Sequence, residues 1–296
     1  MESLLHVLAL AGIYGLFALG LTLIFGVMEV LNLAHATTFA FAAVFAMYLV
    51  GYAGFSMWMG CAIAIGSASV LAVVIDRIAF RPLRYRGRTV WGRHVGPLLT
   101  SLGVSTILLG LERSLFGIDP RHFPNELIAS KLFVLGNVRI NLIGITSFLV
   151  LVLVVSILIF LLNRTRWGVE VRAVAERSET AALFGIDVER RFMETMALSG
   201  LMAGLAGVAW GLTFNIASPE TGAQLDVKGF ALIILGGMGS VLGSLIGAIV
   251  IAAIEVFGGL YLPHGLQTLI VFAMLIVLLL LRPQGLLGKP IQQGAR

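Results

Sequence analysis

Long apolar runs alternate with short polar breaks along the chain. The runs cover residues 4–27, 33–52, 57–79, 96–117, 140–162, 192–214, 240–257 and 266–281. Each meets or approaches the length of about 20 apolar residues that a helix needs to cross a bilayer. A shorter run, 227–238, has the length of either a ninth crossing or a re-entrant half-helix. The pattern predicts an all-α fold: a polytopic membrane helical bundle of eight or nine transmembrane segments, with a re-entrant or broken helix near 227–240. No composition shift divides the chain, so residues 1–296 read as one transmembrane domain carrying an internal loop at 163–191. Residues 1–27 have no basic front end and no small-residue cleavage site, and read as a retained first span.

Composition agrees with the bilayer as solvent. Hydrophobic residues make up 59% of the 296 and charged residues only 12%, about half the charged share of a soluble domain. In lipid, a helix satisfies its own backbone groups. The net charge of +5 does not point to nucleic acid, because the basic residues sit in the breaks. Arg77, Arg81, Arg84, Arg86, Arg88 and Arg93 fall in 76–94, and Arg164, Arg166, Arg172, Arg177, Arg190 and Arg191 in 163–191. Arg282, Lys289 and Arg296 close the chain. The positive-inside rule puts these three segments in the cytoplasm. The segment 113–139, with Arg113, Arg121, Lys131 and Arg139 against Asp119 and Glu126, goes outside, as do the connectors near Met57 and Tyr261–His264. Nine crossings then place the N-terminus outside and the C-terminus inside; with eight, the N-terminus moves inside or the 227–238 run does not cross. A single cysteine, Cys61, excludes an intrachain disulfide and a cysteine-rich metal site.

The spans differ in texture. Residues 140–162 and 266–281 are bulky and nearly free of glycine, which suits lipid contact. Gly200, Gly204, Gly207 and Gly211, and again Gly239, Gly243 and Gly247, recur at spacings that let helix backbones approach closely. That fits either plain packing or helices that move.

Two polar breaks interrupt the apolar pattern. Glu29, Asn32 and His35 are spaced by three and would share a face on a helix. Such a cluster is costly in lipid unless it faces protein or water, so it reads as a polar turn at the cytoplasmic interface or as part of a pathway or gate. One His and one Glu are too few for a metal site. The second break, Leu235-Gly236-Gly237-Met238-Gly239-Ser240, holds three glycines in four residues and is a poor straight helix. It reads as a tight turn or as irregular backbone at a cavity, where Gly236, Gly237 and Gly239 would line the route. Asp226 and Lys228 read as interfacial anchors, and Glu255 as reaching the outer interface.

In the loop 163–191, Ser178 is predicted as an N-cap with Glu179 in the first turn, and Gly185 as the stop. The two-turn helix between them, with Thr180, Ala181, Ala182, Leu183 and Phe184, is too short to stand alone. It must dock under its own bundle or into a groove on another protein.

These strings resemble the branched-chain amino acid ABC transporter permeases of the LivH type. The likeness runs through Gly12-Ile13-Tyr14-Gly15-Leu16-Phe17-Ala18-Leu19-Gly20-Leu21-Thr22 with Asn32-Leu33-Ala34-His35, then Gly168 to Ala175 and Ala181 to Ile186. It continues in Leu235 to Ser240 and in Arg282-Pro283-Gln284-Gly285-Leu286-Leu287-Gly288. The resemblance implies a permease subunit in a bacterial inner membrane, importing branched-chain or other small amino acids. It implies a second related permease, two cytoplasmic ATPase subunits and a periplasmic solute-binding protein as partners. Glu179 to Gly185 would be the segment docking on an ATPase subunit. Where the family has Gly after the histidine, Ala36 stands here, and the wider family also imports urea, short amides and aromatic acids.

No phosphate-binding Gly-x-x-x-x-Gly-Lys-Ser/Thr loop is present, so ATP hydrolysis is expected on separate subunits and no cofactor on this chain. An ion-gradient-driven secondary transporter is the rival reading. It predicts an ionisable group deep in a span, and the sequence places Glu29 and Glu255 near span ends. A membrane enzyme would need convergent catalytic groups, whereas His6, His35, His94, His122 and His264 fall on different connectors.

Overall fold

The apolar runs become helices in a computed structural model that describes residues 2–86, 90–124, 132–135, 138–261, 263–282 and 284–288. In chain order these are α1 (Glu2–Met28), α2 (Ala34–Gly51) and α3 (Met57–Ile75), the last continuing through a π-turn (Asp76–Phe80) into α4 (Arg81–Arg86). Next come α5 (Val90–Phe116), a hairpin of β1 (Leu132–Leu135) and β2 (Val138–Asn141), and α6 (Leu142–Arg164). Then follow α7 (Arg166–Glu176), α8 (Ser178–Leu183), α9 (Val188–Phe214), α10 (Thr221–Gly236), α11 (Val241–Tyr261) and α12 (His264–Leu281). The predicted charges Arg88, Glu126, Lys131, Lys289 and Arg296 lie outside the described residues. Seven of the described helices are long and apolar enough to cross a membrane.

α1 is the central post. Its residues from Ile13 to Leu21 are all buried. It packs antiparallel to α11, where the Thr22 hydroxyl meets Ser244, and parallel to α6, where Gly12 and Gly15 meet Phe148 and Leu151. α9 lies along α2 and α3. Gly200 and Gly204 admit Ala68, Ala72 and Ile65 of α3, while Gly207 and Gly211 admit Phe39, Ala43 and Met47 of α2. The two glycine pairs share one face of α9 but stand at different levels along it, and each level meets a different neighbour. The bulky helices lie outermost. Leu149, Leu153, Ile157 and Phe160 of α6 are exposed on one face while Leu151, Val155 and Leu158 pack inward, and the outward face carries no charge.

One end of the bundle collects the arginine-rich pieces, α4 and the 163–187 segment, and the glycine-containing residues 284–288 join them beside the C-terminal end of α1. We call it the basic end. Three details depart from the expectations. Residues 76–86 continue α3 as helix instead of breaking it, because ion pairs described below hold the arginines; loss of hydropathy marks where lipid contact stops, not where a helix stops. α10 starts at Thr221, ahead of the apolar run at 227, with Gly222 against Ala36 and Ala40 of α2. It spans about 24 Å, short of a hydrocarbon core of about 30 Å. The loop 215–220 starts at the far end, where Ala217 bridges Arg121, and α10 ends at the basic end, where Gly239 lies against Gly26. Finally, a small antiparallel hairpin pairing Leu132 with Asn141 through Leu135 with Val138 adds to the helices.

Candidate functional site

At the basic end the loop becomes two short helices. Thr165 caps α7 by accepting from the Gly168 amide (3.1 Å), and the Trp167 indole donates to Glu194 of α9 (2.7 Å). The predicted two-turn helix is α8, with one correction: Arg177, in extended conformation, holds the N-cap position and Ser178 is already helical, with no side-chain cap bond. The Val174–Glu176 end of α7 leads straight into α8, and Arg177 is the residue that turns. The stop is as read: Gly185 has φ +82°, and its amide and that of Ile186 bond back to Ala182 and Ala181.

α8 has two faces. Ala181 is buried (3%) among Val27, Val171, Val174 and Phe192. Glu179, Thr180, Ala182, Leu183, Phe184 and Gly185 are exposed, Leu183 at 87% and Phe184 at 82%. The helix docks under its own bundle by one small residue, Ala181, and leaves two large apolar side chains uncovered. Between α8 and the end of α1 lies a cavity of about 450 Å³, lined by Glu29, Glu176, Arg177 and Glu179 among others.

The Glu29–Asn32–His35 cluster is not one helical face. Glu29 has φ +54° and ends α1, so residues 29–32 are non-helical. Glu29 is exposed at the cavity. Asn32 is buried and its Oδ1 accepts from the Ala34 amide (3.0 Å). His35 is buried (2%) at the level of Gly20, eight residues before the end of α1 and thus about 12 Å inward from it. Its Nε2 donates to the Phe17 carbonyl (3.1 Å), which leaves Nδ1 to accept from the Ser199 hydroxyl (3.1 Å). His35 thus pins α1, α2 and α9 together. Ser199→Ala should cost about 1 kcal/mol of stability, measurable as a lower melting temperature in detergent. An unchanged melting temperature would remove the pin.

The glycine break meets the first one. Gly237 and Gly239 have φ +101° and +83°, and Gly239 lies against Gly26 of α1. Gly236 touches Gly243 backbone to backbone. The 284–288 segment closes this corner: the amides of Leu286 and Leu287 donate to the carbonyls of Leu235 (2.9 Å) and Gly236 (3.0 Å), satisfying groups that the end of α10 leaves open. Ala36, the departure from the family pattern, is buried, and Gly222 provides the room beside its carbonyl.

Sequence reasoning missed the ionisable groups inside spans. Lys228 is not an interfacial anchor. It pairs with Glu255 of α11, which also accepts from the Tyr14 hydroxyl. Glu112 of α5 is buried with neither carboxylate oxygen hydrogen-bonded. Lys228 and Glu255 belong to separate apolar runs, and nothing in one run announces the other. Glu112 stands within the 96–117 run, and that position was its only signal. Among the described residues no group of three metal-ligating side chains comes together.

The family model for the permease component of branched-chain amino acid transport systems matches residues 3–279. The chain is 28% identical to the high-affinity branched-chain amino acid transport system permease protein BraD of Pseudomonas aeruginosa, covering 98% of this chain and 96% of that one. It is 27% identical to the permease protein LivH of Escherichia coli K12, with the same coverage. The fructose import permease protein FrcC of Rhizobium meliloti is 36% identical, but over only 39% of this chain and 34% of its own.

Proposed function

Because the chain belongs to the family of branched-chain amino acid transport permeases and is a permease subunit of an ATP-binding-cassette importer, we propose that α8 is its docking point for a cytoplasmic ATPase subunit. The observation that carries this is the uncovered pair Leu183 and Phe184 at a polar, arginine-rich end. Set among arginines and glutamates, the two side chains are an apolar patch on an otherwise charged surface. A groove on a partner protein is the surface that removes them from water. With this end in the cytoplasm, the C-terminal segment is cytoplasmic as well, in keeping with the positive-inside rule.

The substrate is a branched-chain or other small amino acid, by likeness to relatives matched over nearly their whole length. Uptake needs two ATPase subunits for energy, a second related permease to complete the pathway, and an external binding protein to capture dilute solute. The breaks at Glu29–His35 and Gly236–Gly239 act as a gate by hinging. Their positive-φ residues and the contact between Gly26 and Gly239 put irregular backbone on both sides of one corner. His35 and Asn32 contribute as pins within it, and Glu29 faces the cavity under α8.

The buried Glu112 and the Lys228–Glu255 pair remove one argument against a gradient-driven carrier, since ionisable groups do stand inside spans. Family membership decides against that carrier. The test is uptake into proteoliposomes holding the assembled complex. Amino acid accumulation should require ATP inside and binding protein outside. Accumulation on a proton gradient alone, without ATP, would overturn the reading.

A further inference from the structure

The first two turns of α9 carry charged contacts in two directions. Toward α7, Arg191 pairs with Glu170 (3.0 Å) and Glu194 accepts from Trp167. Toward α3 and α4, Glu189 meets Arg84 (3.0 Å) and Arg81 (3.3 Å). Arg84 is the shared member. Its fork donates to Glu189 on one side and to both oxygens of Asp76 (2.8 and 3.2 Å) on the other. Asp76 is fully buried at the start of the π-turn. The Arg84 guanidinium also lies 4.8 Å over the ring of Phe192, and Phe192 is part of the apolar pocket that holds Ala181 of α8.

A continuous line of contacts therefore runs from the docking helix into the bundle: Ala181, Phe192, Arg84, Asp76. From there α3 runs on to pack against Gly200 and Gly204 of α9. Asp76 is buried, Arg84 and Glu189 are half-buried and Arg81 is exposed; such a graded network contributes little net stability, and what it does supply is a fixed geometry. A planar fork bonded to two carboxylates at once, and stacked on a ring, sets the angle between its partners in a way that a lysine cannot. The π-turn sits where that angle acts, and π-turns are frequent at functional positions because they loosen the helical ladder.

We infer that Arg84 is a positioning residue for energy coupling: it makes the π-turn between α3 and α4 follow α8, so that movement imposed on α8 reaches the spans. This rests on the docking of α8 proposed above.

The experiment uses the reconstituted importer with Glu189→Gln, which breaks one arm of the fork, and Arg84→Lys, which keeps the charge and loses the fork. Amino acid uptake and ATP hydrolysis are measured on the same vesicles. The expected result is hydrolysis within about twofold of the parent and uptake per ATP lower by roughly tenfold, a size typical of coupling between sites. Unchanged uptake per ATP, or a parallel fall of both activities in a complex that assembles normally, overturns the inference. Failure of both variants to assemble also overturns it, since the network would then serve folding alone. The docking proposal fails separately, if substitutions at Leu183 and Phe184 leave the ATPase bound.

Discussion

Leu183→Glu combined with Phe184→Glu should abolish ATP-driven uptake while leaving the permease folded. Both side chains are more than four-fifths exposed and touch no core cluster, so a charge at either position costs the isolated chain little. In the complex the same charges would be driven into an apolar groove. Interface anchors of this kind contribute about 2 kcal/mol or more each, so the pair should weaken ATPase binding by nearly a thousandfold. Co-purification of the ATPase subunits with the permease reads this directly. Ala181→Glu is the contrasting case. Its side chain packs among Val27, Val171, Val174 and Phe192, so that variant should lose α8 itself along with uptake. Equal co-purification of parent and double variant would show that Leu183 and Phe184 contact no ATPase.

Gly207→Leu should give the largest loss of folded protein. A β-carbon there would lie 2.2 Å from the Phe39 carbonyl oxygen, and backbone does not step aside as the end of a flexible side chain does. Forcing α2 off α9 would also separate Ser199 from His35 and Phe39 from Trp210, whose rings meet edge to face. Overpacking of a tight contact costs about 1–3 kcal/mol, and more where backbone must move. The expected outcome is failure to accumulate in the membrane, or a melting temperature in detergent well below the parent's. Gly103→Leu is the control, because nothing lies near that position, and it should be tolerated in the isolated subunit. A Gly207→Leu protein as stable as the parent would mean that α2 and α9 do not approach as described.

How much of this was legible beforehand depends on the range of the forces involved. Apolar run length is a local property, and it located the long helices because lipid imposes its own thickness on each one separately. The two-turn helix at 178–183 was legible for a related reason: a charged start, small residues and a terminal glycine are all local signals. Its exact cap was not, because Arg177 turns the chain through its link to α7, which lies in tertiary structure. The cluster of Glu29, Asn32 and His35 was read with a helical period, yet the positive φ at Glu29 breaks that period. The chain then climbs back along α1, a move favoured by the room that Gly20 leaves for the His35 ring. The meeting of Lys228 with Glu255, of Gly26 with Gly239, and of Arg84 with Glu189 joins residues far apart in sequence. Such pairings follow from the packing of whole helices and leave no mark within either segment.

The most direct test of the account places a thiol crosslinker at Phe184→Cys in the assembled importer, with Tyr52→Cys at the opposite end as control; Cys61, the other cysteine, is buried. Position 184 should crosslink to an ATPase subunit in a yield that changes when ATP is bound, and position 52 should give no such adduct. A position 184 that is labelled by an impermeant reagent from the outer side, or that yields no ATPase adduct in an importer active in uptake, would contradict the docking of α8.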